Sequence, residues 1–345
     1  MGKAIITELV KDSPRFTITA ITRQTSTYTA PLDTPITHKT VDYTSLESLQ
    51  DAFRGQDAIV NCITGGATQY LPSKLIIDAA IAAGVNFFFA NEFVGHVTSE
   101  RFKSLPESLA GAKFRIREYL EEVGREGKIT WTSLNGGPFL DMCACPPPFS
   151  SSQTSLGPVL TLPSGLTKGP AGFSISTQQA RIYGTGSNAL YWTPLPVIAL
   201  AAANMLRNPR PILNRPIYIC PFINSDTKLT QHALLQALES VLDAKFTVEY
   251  VDVEKINRNA AVILDREKEG QATAGGQRSI ALKGLTICNQ FYEGNNANDF
   301  SHLVENKTVG VQEMTVEDAV RDAIEWYGND CKVVEGMFKV EACEV

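Results

Sequence analysis

Residues 57–90, DAIVNCITGGATQYLPSKLIIDAAIAAGVNFFFA, contain the clearest supersecondary pattern in the chain. The run from Asp57 to Ile63 is nearly all apolar, which is typical of a strand buried on both faces of a parallel sheet. Residues 73–83 predict a helix that Gly84 ends, and residues 87–90 predict the next strand. A strand, a crossover helix and a second strand in this order indicate a parallel α/β sheet.

The same alternation of strands and helices continues on both sides of this unit. Towards the N-terminus, the patterns predict a helix over 4–10, strands over 16–22 and 37–41, and a helix over 45–53. Towards the C-terminus, they predict a long helix over 106–123 and a strand over 129–134. The expected fold is a Rossmann-type, doubly wound parallel sheet.

The middle of the chain has a different composition. Residues 143–177 are rich in Pro, Ser, Gly and Thr, which predicts a loop, and 143–164 is interpreted as an insertion. We therefore expect an N-terminal α/β part over 1–136 and a smaller C-terminal α+β part over 137–345. Within the second part, 185–212 is expected to pack back on the first.

Two helices of the C-terminal part have clear boundaries in the sequence. Thr230 is predicted to cap a helix that continues to Leu242, and a strand is expected over 246–251. Thr315 followed by Asp318 approximates a capping box at the start of the last helix, which Gly328 ends.

Composition and charge exclude several classes of protein. The chain has 345 residues and a formal net charge of -6, with no long block of one sign, so neither nucleic acid nor a membrane surface is an expected partner. Residues 192–206, the most apolar uncharged stretch, fall short of the roughly 20 residues that a membrane span needs. The seven cysteines are scattered, and Cys143 and Cys145 have no second pair nearby, so we predict reduced thiols, a cytoplasmic location and no metal site.

Candidate cofactor residues follow the predicted strands. In a dinucleotide fold the tip of the second strand meets the adenosine ribose, where an acidic residue favours NAD. Here that tip carries Thr22, Arg23 and Gln24. Because a guanidinium can hold a 2′-phosphate through two hydrogen bonds, Arg23 favours NADPH as the cofactor. The alternative is an ordinary surface arginine.

Two further strand ends carry weaker signals. Asp42, after the next strand, would flank the adenine, although an aspartate that opens a turn is equally ordinary. Thr64 and Gly65 follow the buried strand, and glycine there would let the backbone approach the nicotinamide-side ribose. A Gly-Gly pair in any loop looks the same.

Several segments together resemble one known family. Residues 87–95, FFFANEFVG, resemble the F-x-P-S-E-F-G segment of isoflavone-reductase-like proteins in the NmrA-like branch of the short-chain dehydrogenases. Residues 113–121, KFRIREYLE, are similar to their K-x-x-x-R-x-x-x-E helix, and residues 131–139, WTSLNGGPF, to their strand ending in G-x-F. Further similarity covers nearly the whole chain except about 143–164.

The resemblance implies an NADPH-dependent reductase in which Lys113 assists hydride transfer as a proton donor or by polarising the substrate. It also places cofactor contacts at Gly2, Asn91, Glu92, Phe93 and Lys113, and a substrate-pocket wall at Gly137, Phe139 and Met142. Residues 1–136 would then bind the dinucleotide and 137–345 the substrate.

The residues themselves leave the role of Lys113 open. Proton donation near neutral pH requires a lowered pKa, either through burial or through the nearby Arg117. The alternative is that both side chains form a solvated helix face with Glu121.

The chain differs from the family pattern at its start. The family pattern begins with a strand and a G-x-x-G-x-x-G turn that presents N–H groups to the pyrophosphate, whereas Gly2 corresponds to the last of those glycines. Because the first strand would lie in the middle of the sheet, we expect unpaired edges on its two neighbours.

The predicted function is NADPH-dependent reduction of a small aromatic or polyketide-derived molecule by a monomer or homodimer. One alternative is an NmrA-like regulator that binds a dinucleotide without catalysis, and another is an inactive truncated product. Lys113 and the segment Asn91-Glu92-Phe93 favour the enzyme.

Overall fold

The computed structural model describes residues 1–24, 28, 35–63, 69–107, 112–140, 172–174, 178–224, 226, 228–269, 277–291 and 298–327. The strands are β1 (Ile18–Thr22), β2 (Ile36–Thr40), β3 (Ala58–Val60), β4 (Phe87–Ala90), β5 (Thr130–Asn135), β6 (Phe173–Ser174), β7 (Gln179–Tyr183), β8 (Arg215–Tyr218) and β9 (Thr247–Val251). The helices are α1 (Gly2–Leu9), α2 (Leu46–Phe53), α3 (Tyr70–Ala82), α4 (Glu100–Lys103), α5 (Ala112–Arg125), α6 (Leu195–Arg207), α7 (Gln231–Leu242), α8 (Val253–Lys268), α9 (Gln277–Phe291) and α10 (Val316–Tyr327).

The N-terminal strands form two parallel ladders. β1 pairs with β2, and the other ladder has the order β3-β4-β5-β8. Within the described residues, β1 and β3 belong to different ladders. This division agrees with the expectation of unpaired edges on these two strands.

Helices cover both faces of the strands. Successive side chains of a strand point to opposite faces, and here both faces carry apolar side chains that the helices bury. On one face, Phe89 packs in a core with Ile5 of α1 and Ile198 of α6. On the other face, Phe88 packs in a core with Ile76 of α3 and Leu120 of α5. The predicted doubly wound α/β fold is confirmed by this arrangement.

Both ladders contribute to both cores. Ile18 of β1 and Val60 of β3 pack against the core that contains α1 and α6. Ile21 of β1 and Ile59 of β3 pack against the core that contains α2, α3 and α5. Shared apolar cores, rather than backbone hydrogen bonds, therefore connect β1 and β3.

The C-terminal part has its own sheet and core. β6 pairs antiparallel with β7, and β7 pairs in parallel with β9. Tyr183, Trp192, Leu234 and Phe291 belong to one buried cluster, which α7, α9 and α10 help to form. Mixed pairing and packed helices give this part the predicted α+β character.

The two predicted helix caps are present. Thr230 Oγ1 accepts a hydrogen bond from the backbone N–H of Ala233 over 3.0 Å. Thr315 Oγ1 accepts from the N–H of Asp318 over 3.0 Å, as the capping-box pattern predicts.

One helix start differs from the sequence prediction. α3 begins at Tyr70 rather than Ser73, because the Glu107 carboxylate accepts the free N–H of Tyr70 over 2.8 Å. α5 is described from Ala112 onward, and residues 108–111, through which the predicted helix from 106 would run, lie outside the described residues. Glu107 also accepts a hydrogen bond from Arg115 over 3.2 Å.

The insertion at 143–164 and Gly328 lie outside the described residues. The division at residues 136 and 137 stays a prediction. α6, within the segment 185–212, packs against α1 in the core of the N-terminal part. Across the described ranges, we find no helix with the length and apolarity needed to span a bilayer.

Candidate active site

The carboxyl ends of the parallel strands bring most of the predicted site residues to one edge of the sheet. The residues that end or directly follow a strand are Thr22, Arg23, Gln24, Asp42, Asn91, Glu92, Phe93, Gly137 and Phe139. Thr64, Gly65 and Met142 lie outside the described residues.

The segment after β4 has an unusual and well-fixed backbone. Phe93 has a φ of 39°, which is rare for a bulky residue and marks local strain. Its N–H donates to the carbonyl of Leu134 over 3.0 Å, and the N–H of Gly137 donates to the carbonyl of Val94 over 3.1 Å. The ends of β4 and β5 are thereby tied together.

Gly137 is required at its position for steric reasons. Its φ is 69°, and a Cβ atom added there would lie 1.6 Å from the carbonyl oxygen of Tyr191. Only glycine fits such a close backbone approach. Gly137 therefore allows the backbone at Tyr191 to pass close to the chain that follows β5.

A buried ion pair joins the segment after β4 to α5. Arg117 and Glu92 are each 2% exposed. Arg117 Nε donates to Glu92 Oε1 over 2.6 Å, its NH2 group donates to Glu92 Oε2, and the same group donates to Ser133 Oγ over 3.2 Å. Burial alone would lower the pKa of Arg117, but the Glu92 carboxylate raises it, so the guanidinium stays charged.

Lys113 lies one helical turn before Arg117 and is 8% exposed. Its Nζ donates to the carbonyl oxygens of Asn91 over 2.5 Å and Glu92 over 2.8 Å. Burial lowers the pKa of Lys113 to about 8, although the Glu92 carboxylate opposes this shift. An ammonium has three N–H donors, so one has no partner among the residues that the structure describes and is available to a ligand.

The alternative of a solvated Lys113–Arg117–Glu121 face is wrong. Glu121 is exposed, whereas Lys113 and Arg117 are buried. Burial, rather than repulsion from Arg117, is the main cause of the lowered pKa of Lys113, because Glu92 neutralises the guanidinium.

Two neighbouring clefts are lined by residues of the segment after β4. The first is narrow and is lined by residues that include Asn61, Ser73, Phe88, Asn91, Glu92 and Lys113. The second is also narrow and is lined by residues that include Phe93, Phe102, Pro138, Phe139, Asn289 and Gln290. Because Glu92 lines one cleft and Phe93 the other, this dipeptide separates them.

Sequence reasoning missed four polar residues of these clefts, namely Asn61, Ser73, Asn289 and Gln290. Asn61 lies directly after β3, so its place at a strand end was a usable signal. Asn289 and Gln290 come from α9, far along the chain, and their sequence surroundings carry no signal of a site.

The predicted adenosine end is formed by the tips of β1 and β2. Arg23 and Gln24 are exposed there, and Thr22 Oγ1 lies 2.7 Å from His38 Nε2. The Asp42 carboxylate accepts hydrogen bonds from the N–H and hydroxyl of Thr44, which lower the pKa of Asp42. Asp42 therefore opens a turn, while Arg23 is available to an anionic ligand.

Gly2 lies beside the residues that follow β3. A Cβ atom on Gly2 would lie 3.3 Å from the Cβ of Cys62, two residues beyond β3. The first turn of α1 thus packs tightly beside the end of β3, as the last glycine of a phosphate-binding turn would.

The donors on this edge fit a nicotinamide dinucleotide. The side-chain nitrogen of buried Asn61 has no hydrogen-bond partner in the described part of the chain, while its Oδ1 accepts from the N–H of Ile63 over 3.2 Å. This nitrogen and Lys113 belong to residues that line the first cleft, where hydroxyl and carbonyl oxygens would satisfy them.

Comparisons with known proteins agree with this assignment. The profile of a family described as NAD(P)H-binding matches residues 1–144. Oxidoreductase aprR of Aspergillus flavus is 30% identical over 262 residues, which are 75% of this chain and 76% of that protein.

Two solved structures show the same fold. Triphenylmethane reductase of Citrobacter sp., complexed with NADP(H), is 18% identical, has a TM-score of 0.61, and is matched over 93% of this chain and 95% of that chain. An isoflavone reductase is 17% identical, with a TM-score of 0.59 and the same two coverages.

The fold and the strand-end site define a Rossmann-type dinucleotide-binding protein. The chain belongs to the same family of NAD(P)H-binding oxidoreductases as oxidoreductase aprR, and it has the fold of isoflavone reductase. The predicted family, enzyme class and nicotinamide cofactor are thereby confirmed.

Replacing Glu92 by glutamine should destabilise the fold strongly, because Arg117 would keep its charge in a buried position without a counterion. The expected loss is about 3–5 kcal/mol in the free energy of unfolding, measured by urea denaturation. The double variant Glu92→Gln/Arg117→Met should recover much of this loss.

The control is Glu317→Gln, which removes one of the two carboxylate partners of Arg321 in a surface pair that is about half exposed. Its effect should be small. Equal effects of the Glu92 and Glu317 substitutions would contradict a structural role for the buried pair.

Proposed function

We propose that the protein is an NADPH-dependent reductase in which Lys113 protonates the substrate. The observation that carries the proposal is the buried Lys113 ammonium, which lines the first cleft and has one donor left after its bonds to the Asn91 and Glu92 carbonyls. Its pKa of about 8 lies near neutral pH, where a general acid works best.

The residues of the chain have distinct roles in the proposed reaction. NADPH, when bound, supplies a hydride to an electron-poor carbon of the substrate. Lys113 donates its third proton to the substrate atom that gains negative charge, and solvent reprotonates the resulting amine. The carbonyls of Asn91 and Glu92 hold Nζ in place, and the Glu92–Arg117 pair holds those carbonyls.

Arg23 supports NADPH over NADH in this proposal. It is exposed at the tip of β1, where the fold presents a residue to the adenosine ribose. A guanidinium recognises a phosphate group through paired, charge-assisted hydrogen bonds. The adenosine ribose of NADH has a neutral hydroxyl in place of the phosphate, so it would not attract the Arg23 guanidinium in this way.

The second cleft supports an aromatic or polyketide-derived substrate. Phe93, Phe102 and Phe139 form apolar walls there, next to the segment that binds Lys113. Two relatives of the fold are named reductases of isoflavone and triphenylmethane compounds, which are also aromatic.

Replacing Lys113 by methionine should lower turnover by roughly 10²- to 10⁴-fold, because the proton donor is lost while the length of the side chain is kept. NADPH oxidation against a panel of aromatic ketones and quinones identifies the best substrate for the measurement. The wild-type rate should fall as the pH rises through about 8, because the ammonium then loses its proton.

Lys113→Arg is the matched control, because it keeps a positive charge that is too weakly acidic to donate a proton. It should be nearly as slow as Lys113→Met. Wild-type turnover by either variant would contradict proton donation, and tight NADPH binding without turnover of any compound would favour the regulatory alternative.

Arg23→Ala should weaken NADPH binding by about 10- to 100-fold, the effect of losing a bidentate charge-assisted contact, and leave NADH binding unchanged. Titration of the intrinsic fluorescence with each cofactor measures this. Arg54→Ala, which removes another exposed arginine whose partner is Asp51, serves as the control. Equal affinity of the wild-type protein for both cofactors would contradict the role of Arg23.

A further inference from the structure

Lys3 lies in the first turn of α1, at the edge of the sheet where the strand-end site is formed. Because Gly2 packs beside Cys62, α1 starts next to the chain that follows β3. Lys3 is exposed, and the first turn of α1 contains no acidic residue. Its ammonium therefore adds to the positive end of the helix dipole.

A series of side-chain contacts connects Lys3 to the tip of β1. Lys3 Nζ lies 5.9 Å from the centre of the Tyr28 ring, and the centre of that ring lies 5.6 Å from the centre of the His38 ring, which it meets edge-on. His38 Nε2 lies 2.7 Å from Thr22 Oγ1, and Arg23 directly follows Thr22. The contacts of Lys3 therefore lead to the strand tip that meets the adenosine ribose in this fold.

The pairing of β1 with β2 places this cluster on the face of the sheet that α1 covers. Ile18 packs against the core that contains α1, and Thr22, four residues later, points to the same face because strand side chains alternate. His38 is paired with Ala20, which lies between those two residues on that face. Lys3 and the Thr22–His38 pair therefore approach the tip of β1 from one side.

Lys3 and Arg23 bring two cationic groups to one strand tip, and both are exposed there. Asp42, the acidic residue after β2, uses its carboxylate to accept hydrogen bonds from the N–H and hydroxyl of Thr44. A phosphate monoester carries up to two negative charges and three acceptor oxygens, so it can bind two cations at once.

We propose that Lys3 binds the 2′-phosphate of NADPH together with Arg23. This inference rests on the proposed NADPH-dependent function, and it adds a second specificity-determining residue, which comes from α1 rather than from β1. The 2′-phosphate, rather than the pyrophosphate, is the expected partner because the contacts of Lys3 lead to the tip of β1. An ammonium with three rotatable donors suits phosphate oxygens that the planar Arg23 guanidinium does not engage.

Two nucleotides that differ only in the 2′-phosphate test this role without requiring turnover. Adenosine 2′,5′-bisphosphate carries that phosphate, and adenosine 5′-monophosphate lacks it. The wild-type protein should bind the bisphosphate more tightly. Lys3→Met should weaken bisphosphate binding about tenfold, the effect of losing one charge-assisted contact, and leave monophosphate binding unchanged. Isothermal titration calorimetry gives the affinities.

Lys11→Met is the matched control, because it removes an exposed lysine that directly follows α1 and has Glu8 as its partner. It should leave both affinities unchanged. Lys3→Arg keeps the positive charge and should retain most of the preference for the bisphosphate. Added salt should weaken bisphosphate binding more steeply in the wild type than in Lys3→Met, which has one charge fewer to screen. Circular dichroism checks folding, and Lys3→Gln is used if Lys3→Met does not fold.

The outcomes separate this inference from the proposed function. An unchanged bisphosphate affinity in folded Lys3→Met, an equal loss for both nucleotides, or an equal loss in Lys11→Met would overturn the inference. So would a wild-type protein that does not prefer the bisphosphate. NADPH turnover that requires Lys113 would survive each of these results, whereas Lys3-dependent binding of the bisphosphate by a protein that never oxidises NADPH would support this contact and contradict the reductase.

Discussion

The buried contact between Glu92 and Arg117 is the constraint on which the site depends. Glu92 follows β4 and Arg117 lies on α5, so the pair fastens a loop at the end of the sheet to the helix that covers it. Lys113 lies four residues before Arg117, on the same face of α5. The position of the loop and the position of the ammonium are therefore set by one helix.

This arrangement explains how a buried lysine is tolerated. The Asn91 and Glu92 carbonyls satisfy two of its donors, and the Glu92 carboxylate opposes the effect of burial on its pKa. The strained backbone of Phe93 then directs the chain from the polar cleft to the apolar one. A rigid sheet edge thus places a proton donor beside a space suited to an apolar ligand.

Local patterns in the sequence predicted much of the fold, and long-range contacts account for what they missed. The strand before Thr64 and the helix start at Thr315 depend on residues that are close in the sequence, so both were predictable. Lys113 was identified through the resemblance of residues 113–121 to the family's K-x-x-x-R-x-x-x-E helix, but the partner of Arg117 lies 25 residues away and no pattern indicated that pairing. Asn289 was missed because α9 reaches the cleft only through tertiary packing.

The most direct test of the account is an NMR titration of Lys113 in the wild-type protein with ¹³C-labelled lysine side chains. The Lys113 signal is identified by its loss in Lys113→Met. We predict a titration midpoint near 8, because the ammonium is buried against the Asn91 and Glu92 carbonyls. A midpoint at the ordinary lysine value of 10.5 would show that Lys113 is solvated, and it would contradict the proposed proton donor and the site built around it.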